Sequence, residues 1–382
     1  MYKMIKNCRL VSPGIDLPEA SILIKDDRIV QVAPGEISAP AGTEMIDGNM
    51  FTAVPGFIDV HCHGRNSFDF CDGSAEGARK IAENKLAEGV TTLLPTTLTV
   101  SEEELADSLR AIAAYDQQSG CRIPGVHLEG PYINVKCAGA QNPAYVRLPD
   151  PAEVDRLAAI FPVSKITFAI EQSGGIDFVS QMLNRKIVPS CTHSGATYAD
   201  FQLAHNAGLR NLSHFCNQMT PLHHRDIGLV GAGLLHEDVF AELICDKLHI
   251  SPAMIKLVFK VKGPEHVILI TDAMRASGMP DGEYSLGGLP VMVADGAARL
   301  KEGGALAGST LQLAAAFKNV CEVTGLPMSE VVKSTSASAA ASLGLNDRGY
   351  LMPGFLADIV LLDNEFTVQR AMVGGELRFS RK

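Results

Sequence analysis

Between residues 55 and 345 the chain alternates short continuous apolar runs with longer segments of helical periodicity. The runs are Phe57–Val60, Thr91–Leu94, Gly125–Leu128, Ile166–Ile170, Ile187–Ser190, Asn211–Ser213, Phe240–Ile244 and Val267–Ile270. A run with no polar alternation reads as a strand buried on both faces, the mark of a parallel sheet. Ala75 to Glu88 and Glu102 to Tyr115, which lie between runs, read as helices. Eight such units predict an α/β fold, a (β/α)8 barrel, with a doubly wound open sheet as the alternative.

The ends of the chain read differently. Ser21–Ile24 and Arg28–Val32 flank Lys25-Asp26-Asp27, a hairpin signal. Asp358–Asp363 and Ala371–Leu377 are strand-like as well. Strands from both termini can pair. The expected organisation is therefore a small β-sandwich domain from residues 1–54 and 346–382, with the barrel over 55–345.

Composition narrows the class. The chain has 382 residues, 46% hydrophobic and 20% charged, enough for a large buried core. The formal net charge is −10 with no basic block, which argues against a nucleic-acid partner. Met1 to Lys6 lacks a signal-peptide core, and no apolar run reaches membrane-spanning length, so no membrane partner is expected. Nine cysteines without a C-x-x-C pair read as a reduced, cytoplasmic protein. Cys191, Cys216 and Cys245 lie near run ends but read as packing residues, because imidazoles and carboxylates are already available there.

The chemistry sits where the runs stop. His61 and His63 are two residues apart on a strand, so both rings face one point. Barrel active sites lie at the C-terminal strand ends. The third run ends in Glu129, the fifth leads to His193, and the sixth to His214. Asp246 and His249 follow the seventh, and Asp272 follows the eighth. Singly, each histidine is an ordinary loop residue and Asp272 a helix cap. Four imidazoles and two carboxylates on five strand ends are instead the ingredients of a one- or two-metal hydrolytic centre. His127 shares the Glu129 face and reads as a core or supporting group. His205, His223, His224, His236 and His266 fit no strand end.

Pro55-Gly56-Phe57-Ile58-Asp59-Val60-His61-Cys62-His63-Gly64 resembles the opening metal motif of the amidohydrolase superfamily. Leu128-Glu129-Gly130-Pro131-Tyr132, Thr192-His193-Ser194, Ser213-His214-Phe215, Thr271-Asp272-Ala273-Met274 and Leu306-Ala307-Gly308-Ser309 resemble, more narrowly, the N-acetylglucosamine-6-phosphate deacetylase family. The resemblance spans nearly the whole chain. It implies hydrolysis of the acetamide of an amino-sugar phosphate. Glu129, His193 and His214 would hold the main divalent metal, and His61 and His63 a second where present. Zinc is the first expectation, with iron, cobalt or manganese as alternatives, one or two ions per subunit. Asp272 would be the catalytic acid/base. Gln141, Asn217, Gln218, Arg225 and His249 would bind substrate, with Arg225 reaching a neighbouring subunit's site in a homodimer.

Four places depart from the family pattern. Gln141 stands where histidine is frequent, Gln218 where alanine is usual, and Lys247 where glycine is usual; Arg65-Asn66-Ser67 replaces a glycine-rich stretch. All fall on the substrate side rather than among the ligands. They leave hydrolysis intact and put the exact sugar in doubt, so that a deacetylase for another epimer such as N-acetylgalactosamine 6-phosphate is the first alternative; a cyclic-amide hydrolase on the same scaffold and a non-catalytic sugar-phosphate sensor are the others.

Overall fold

The computed structural model describes residues 1–381. Its centre is a ring of eight parallel strands. In chain order these are Phe57–Cys62, Val90–Pro95, Val126–Glu129, Val163–Phe168, Val188–Cys191, Asn211–Leu212, Phe240–Ile244 and Val267–Ile270. The last six pair in sequence order into one sheet, and the first two pair with each other. Parallel bridges Thr96–His127 and Cys62–Ala273 join the two pieces on both sides and close the barrel. Each of the eight apolar runs supplies one strand. The shortest, Asn211–Leu212, is kept in place by neighbours on both sides, Ser190↔Asn211 and Asn211↔Phe240.

Helices cover the outside. Ala75–Lys85 begins at Ser74, whose hydroxyl accepts from the Gly77 amide, and passes into a short turn that ends at Gly89 with φ 85°. A left-handed residue there reverses the chain into the next strand, and glycine adopts it without a Cβ clash. Glu102–Ala113 starts with a reciprocal capping box between Ser101 and Glu104. Among the described residues no helix is long and apolar enough to cross a membrane.

The β-sandwich expected from the termini takes the form of one continuous sheet. Its strand order is Glu376–Ser380, Val368–Val373, Ile359–Leu362, Thr52–Pro55, Tyr2–Ser12, Ile15–Lys25, Arg28–Pro34, with Glu44–Asp47 on the side of Tyr2–Ser12. The expected hairpin turns at Asp26–Asp27, where Asp26 has φ 54°, a conformation its short polar side chain tolerates. Ile5, Leu10, Ile22, Ile24, Ile29, Ile359 and Leu361 form a second core there, separate from the barrel's.

Outside the eight-unit reading lies a three-stranded antiparallel sheet, Gly282–Leu286, Leu289–Ala294 and Ala297–Leu300. It follows the eighth barrel strand. One face is buried through Val291 and Val293, while the alternating Met292 and Ala294 are exposed. The sheet overhangs the strand ends that carry the polar residues.

Candidate metal and catalytic site

The strand ends surround a cavity of about 330 Å³, a size that suits a small ligand. Its floor holds His63, Glu129, His193, His214 and Asp272; Gln141, Asn217, Gln218 and His249 stand around it. His61 lies beneath, fully buried.

Glu129 is the hub. Its Oε1 is 2.9 Å from His214 Nε2, 3.4 Å from His193 Nε2 and 3.3 Å from His61 Nε2. Its Oε2 is 3.2 Å from His63 Nε2. Two groups of possible ligands therefore share this carboxylate: Glu129, His193 and His214, and Glu129, His61 and His63.

The donor set tests whether a cation fits. His193 Nδ1 is 2.8 Å from the Cys137 carbonyl, and His214 Nδ1 is 3.2 Å from the Asn217 carbonyl. A carbonyl only accepts, so both Nδ1 atoms carry the proton and both Nε2 atoms are bare. Those two lone pairs face each other at 3.2 Å, beside a carboxylate oxygen. Such a grouping repels itself unless a cation lies among the three atoms. His63 repeats the logic: Nδ1 meets the Thr96 carbonyl at 3.1 Å, leaving Nε2 toward Glu129 and Asp272. Both ring nitrogens of His61 are buried and without a hydrogen-bond partner. Imidazole and carboxylate ligands suit zinc, iron, cobalt and manganese alike.

Asp272 follows the eighth strand at φ 48°, His193 has φ 47° and His214 has φ 28°. Left-handed backbone is strained for residues with a Cβ and persists where neighbours enforce it. Here they do: Asp272 N–H donates to the His61 carbonyl at 2.8 Å, and the Asp272 carbonyl accepts from Ser309 N–H at 2.7 Å. Asn134 N–H donates to the His193 carbonyl at 2.9 Å. The strain aims three side chains into one cavity from three strand ends.

Electrostatics follow the same geometry. Burial raises the Glu129 carboxyl, but the positive charge of the facing His61 helps to hold it well below the carboxylate range. Burial likewise raises Asp272, while His61 and His63 bring it below its ordinary value, so it is ionised. Burial, with Lys165 and His61 nearby, pushes His127 far down and keeps it neutral. His127 Nε2 is 2.7 Å from Thr167 Oγ1, and its ring packs edge-on to His61 at 4.6 Å. It supports the His61 ring.

Gln141 is 4% exposed, and its amide is already committed. Its Nε2 donates to Glu129 Oε2 at 2.6 Å and its Oε1 accepts from Thr99 N–H at 2.7 Å. His249 Nδ1 is 2.7 Å from Asp246 Oδ2, which holds the ring toward the cavity. Arg225 is not among the cavity residues; it lies on an exposed turn with Nη1 2.8 Å from His224 Nε2. Cys191 and Cys245 are buried in the barrel, and burial pushes the Cys191 and Cys216 thiols up to about 12.

Two buried charge clusters around the site escaped the sequence reading. Lys165 pairs with Glu242, whose Oε2 lies 3.6 Å from His61 Nδ1. Lys85 Nζ is 2.9 Å from Asp59 Oδ2 and 3.0 Å from Glu88 Oε2, and Arg65 pairs with Glu88. Asp59 Oδ2 accepts from the Thr271 hydroxyl at 2.6 Å, one residue before Asp272. A signal was present: Lys165 and Glu242 interrupt otherwise apolar strands, and charges there are buried only when paired.

The amidohydrolase family model matches residues 52–378. An N-acetylglucosamine-6-phosphate deacetylase of Lysinibacillus sphaericus is 35% identical over 379 residues, covering 98% of this chain and 97% of its own. An N-acetylgalactosamine-6-phosphate deacetylase of Escherichia coli O157:H7 is 36% identical over 359 residues, covering 92% and 95%. A solved structure of the Mycobacterium smegmatis N-acetyl-D-glucosamine-6-phosphate deacetylase, an Asp→Ala variant in complex with N-acetyl-D-glucosamine-6-phosphate, matches with a TM-score of 0.91 at 31% identity. It covers 100% of this chain and 99% of its own. The chain therefore belongs to the amidohydrolase family and is similar over nearly its whole length to deacetylases of N-acetylated hexosamine 6-phosphates.

Proposed function

We propose that the protein hydrolyses the acetamide of N-acetyl-D-glucosamine 6-phosphate to D-glucosamine 6-phosphate and acetate. The observation that carries this is the set of bare Nε2 atoms of His193 and His214 beside Glu129, opening into a cavity that also holds ionised Asp272. Likeness to relatives of that name supports the substrate.

Glu129, His193 and His214 hold the essential divalent cation, zinc first, with His61 and His63 able to hold another beside it. The cation supplies Lewis-acid polarisation and a water acidic enough to react at neutral pH. Asp272 accepts the proton of the water that attacks the acetamide carbonyl. It then delivers that proton to the departing amine nitrogen, which cannot leave unprotonated. Gln141 fixes Glu129 through its Nε2–H bond, so the hub carboxylate keeps its orientation as charge develops. His249 and Asn217 face the sugar phosphate, with the exposed Gln218 beside them.

The working form is a cytoplasmic homodimer in which Arg225 enters the neighbouring subunit's site. Its exposed turn and an adjoining crevice lined by Met219, Leu222, Met254 and Leu257 support this. The nine free cysteines suit a reducing compartment. Arg225→Ala is expected to raise KM for the phosphorylated sugar about tenfold or more, with little change in kcat. Steady-state kinetics with sedimentation checks both points; unchanged KM removes Arg225 from the site.

A second reading, deacetylation of N-acetylgalactosamine 6-phosphate, is favoured by the relative of that name. A panel of N-acetylated hexosamines with and without the 6-phosphate decides. Acetate release fastest from the glucosamine compound supports the first reading. Faster release from the galactosamine compound supports the second, and release from none rejects both. Elemental analysis and chelation belong to the same experiment. Removing the metal is expected to abolish turnover, and zinc, iron, cobalt or manganese to restore it.

A further inference from the structure

The fourth apolar run ends in a carboxylate that the chemistry above leaves unused: Glu171 directly follows Ile166–Ile170. It is half-buried and does not line the cavity. Its two oxygens hold three donors. Oε1 accepts from Asn134 Nδ2 at 2.7 Å and from Gly195 N–H at 2.6 Å, and Oε2 accepts from the Ser194 hydroxyl at 2.6 Å. All three donors lie on the two segments that frame His193. Ser194 and Gly195 follow it in the chain. Asn134 N–H donates to the His193 carbonyl at 2.9 Å, and the Asn134 carbonyl accepts from Cys137 N–H at 2.8 Å. Asn134 Oδ1 is spent inside the turn Val135–Cys137, on Lys136 N–H, which leaves Nδ2 to tie that turn to Glu171. At the end of the turn the Cys137 carbonyl accepts the Nδ1–H of His193 at 2.8 Å. One carboxylate thus reaches His193 by two routes, through its backbone at φ 47° and through its ring N–H.

We propose that Glu171 is the positioning residue of His193, fixing a cation that it does not touch. The inference rests on the reading of His193 as a ligand and extends the site to the fourth strand. A left-handed histidine relaxes unless its neighbours enforce the conformation. Hydrogen bonds to a carboxylate are about twice as strong as neutral ones, and those from Ser194 and Gly195 enforce it from the C-terminal side. The Asn134 arm keeps the Cys137 carbonyl against Nδ1, so the proton stays there and the Nε2 lone pair is aimed in advance. Removing the carboxylate releases both holds at once. The loss falls on metal affinity. Asp272 stands on the eighth strand and keeps its own backbone bonds, so turnover returns when the metal is saturating.

The test strips zinc from the purified enzyme with a graded chelator and reads the free zinc at half-occupancy. Wild type, Glu171→Ala, Glu171→Gln and Asn134→Ala are compared, with the thermal midpoint of each stripped protein as the control. Glu171→Ala is expected to need about 10- to 100-fold more free zinc. Its stripped midpoint should stay near that of wild type, and its cobalt-loaded form should show altered visible absorption bands. In Glu171→Gln the Oε1 still accepts from Asn134 and Gly195, and the amide can donate to Ser194 Oγ, so most of the affinity and the wild-type cobalt spectrum should return. Asn134→Ala cuts one route only and should cost less; combined with Glu171→Ala it should add little, because the two act in series. Unchanged zinc affinity in Glu171→Ala overturns the inference. So does a Glu171→Gln variant as weak as Glu171→Ala, which would make the charge and not the hydrogen bonds the cause. A Glu171→Ala chain that fails to fold, or loses zinc only in step with its stripped midpoint, makes Glu171 a residue of the fold and overturns it too. A wild type that holds no zinc, iron, cobalt or manganese removes the cation from His193, and this inference with it.

Discussion

Asp272→Asn is expected to keep its full metal content and lose turnover by about 10²- to 10⁴-fold, the usual worth of a positioned acid/base. Asparagine has the same shape and tolerates the left-handed backbone, so φ 48° need not relax. Its amide can still approach His63, which lies 3.1 Å from Asp272 Oδ1. What it cannot do is take a proton from water and return it to the amine. The loss belongs in kcat, with KM nearly unchanged, because the sugar is held elsewhere in the cavity. Steady-state kinetics and elemental analysis on one preparation give both numbers. A variant with full activity would remove Asp272 from the proton path. One that loses metal would make it a ligand.

Lys85→Met is expected to destabilise the fold by about 3–5 kcal/mol, the range found when a buried ion pair loses one partner. Lys85 and Arg65 balance Asp59 and Glu88 where no water can help; Lys85, Asp59 and Glu88 are fully buried. Methionine fills similar space, so the loss is electrical rather than volumetric. The cluster also ties the first barrel strand to the eighth through the Asp59–Thr271 hydrogen bond. Turnover should therefore fall along with the thermal midpoint, since Thr271 sets the position of Asp272. Adding Asp59→Asn should restore part of the midpoint by removing the surplus charge, but none of the turnover. An unchanged midpoint in Lys85→Met would mean that the cluster carries no net stability.

The barrel and the cluster of imidazoles and carboxylates at its strand ends were legible because they obey local rules. Continuous apolar runs mark buried parallel strands, and His61, Glu129, His193, His214 and Asp272 stand where those runs end. The supporting groups were harder to read. Whether Gln141 faces substrate or Glu129 depends on a fold-wide juxtaposition with Thr99, forty-two positions away. Lys85 lies on a helix whose spacing predicts only an inward face, not its two charged partners, Asp59 and Glu88. The three-stranded sheet over residues 282–300 follows the eighth unit, so no strand-end rule leads to it.

The terminal sheet carries a consequence for biosynthesis. Strand Ile359–Leu362 lies between Thr52–Pro55 and Val368–Val373, so Thr52–Pro55 has no neighbour on that side until about 300 more residues have been made. At about 5–20 residues per second that wait is roughly 15–60 s. The nascent chain meanwhile presents the unfinished edge of its first sheet, with Ile5, Leu10 and Ile22 still lacking Ile359 and Leu361 as packing partners. Its window for aggregation or chaperone capture thus opens early and closes only once Ile359–Leu362 has been made.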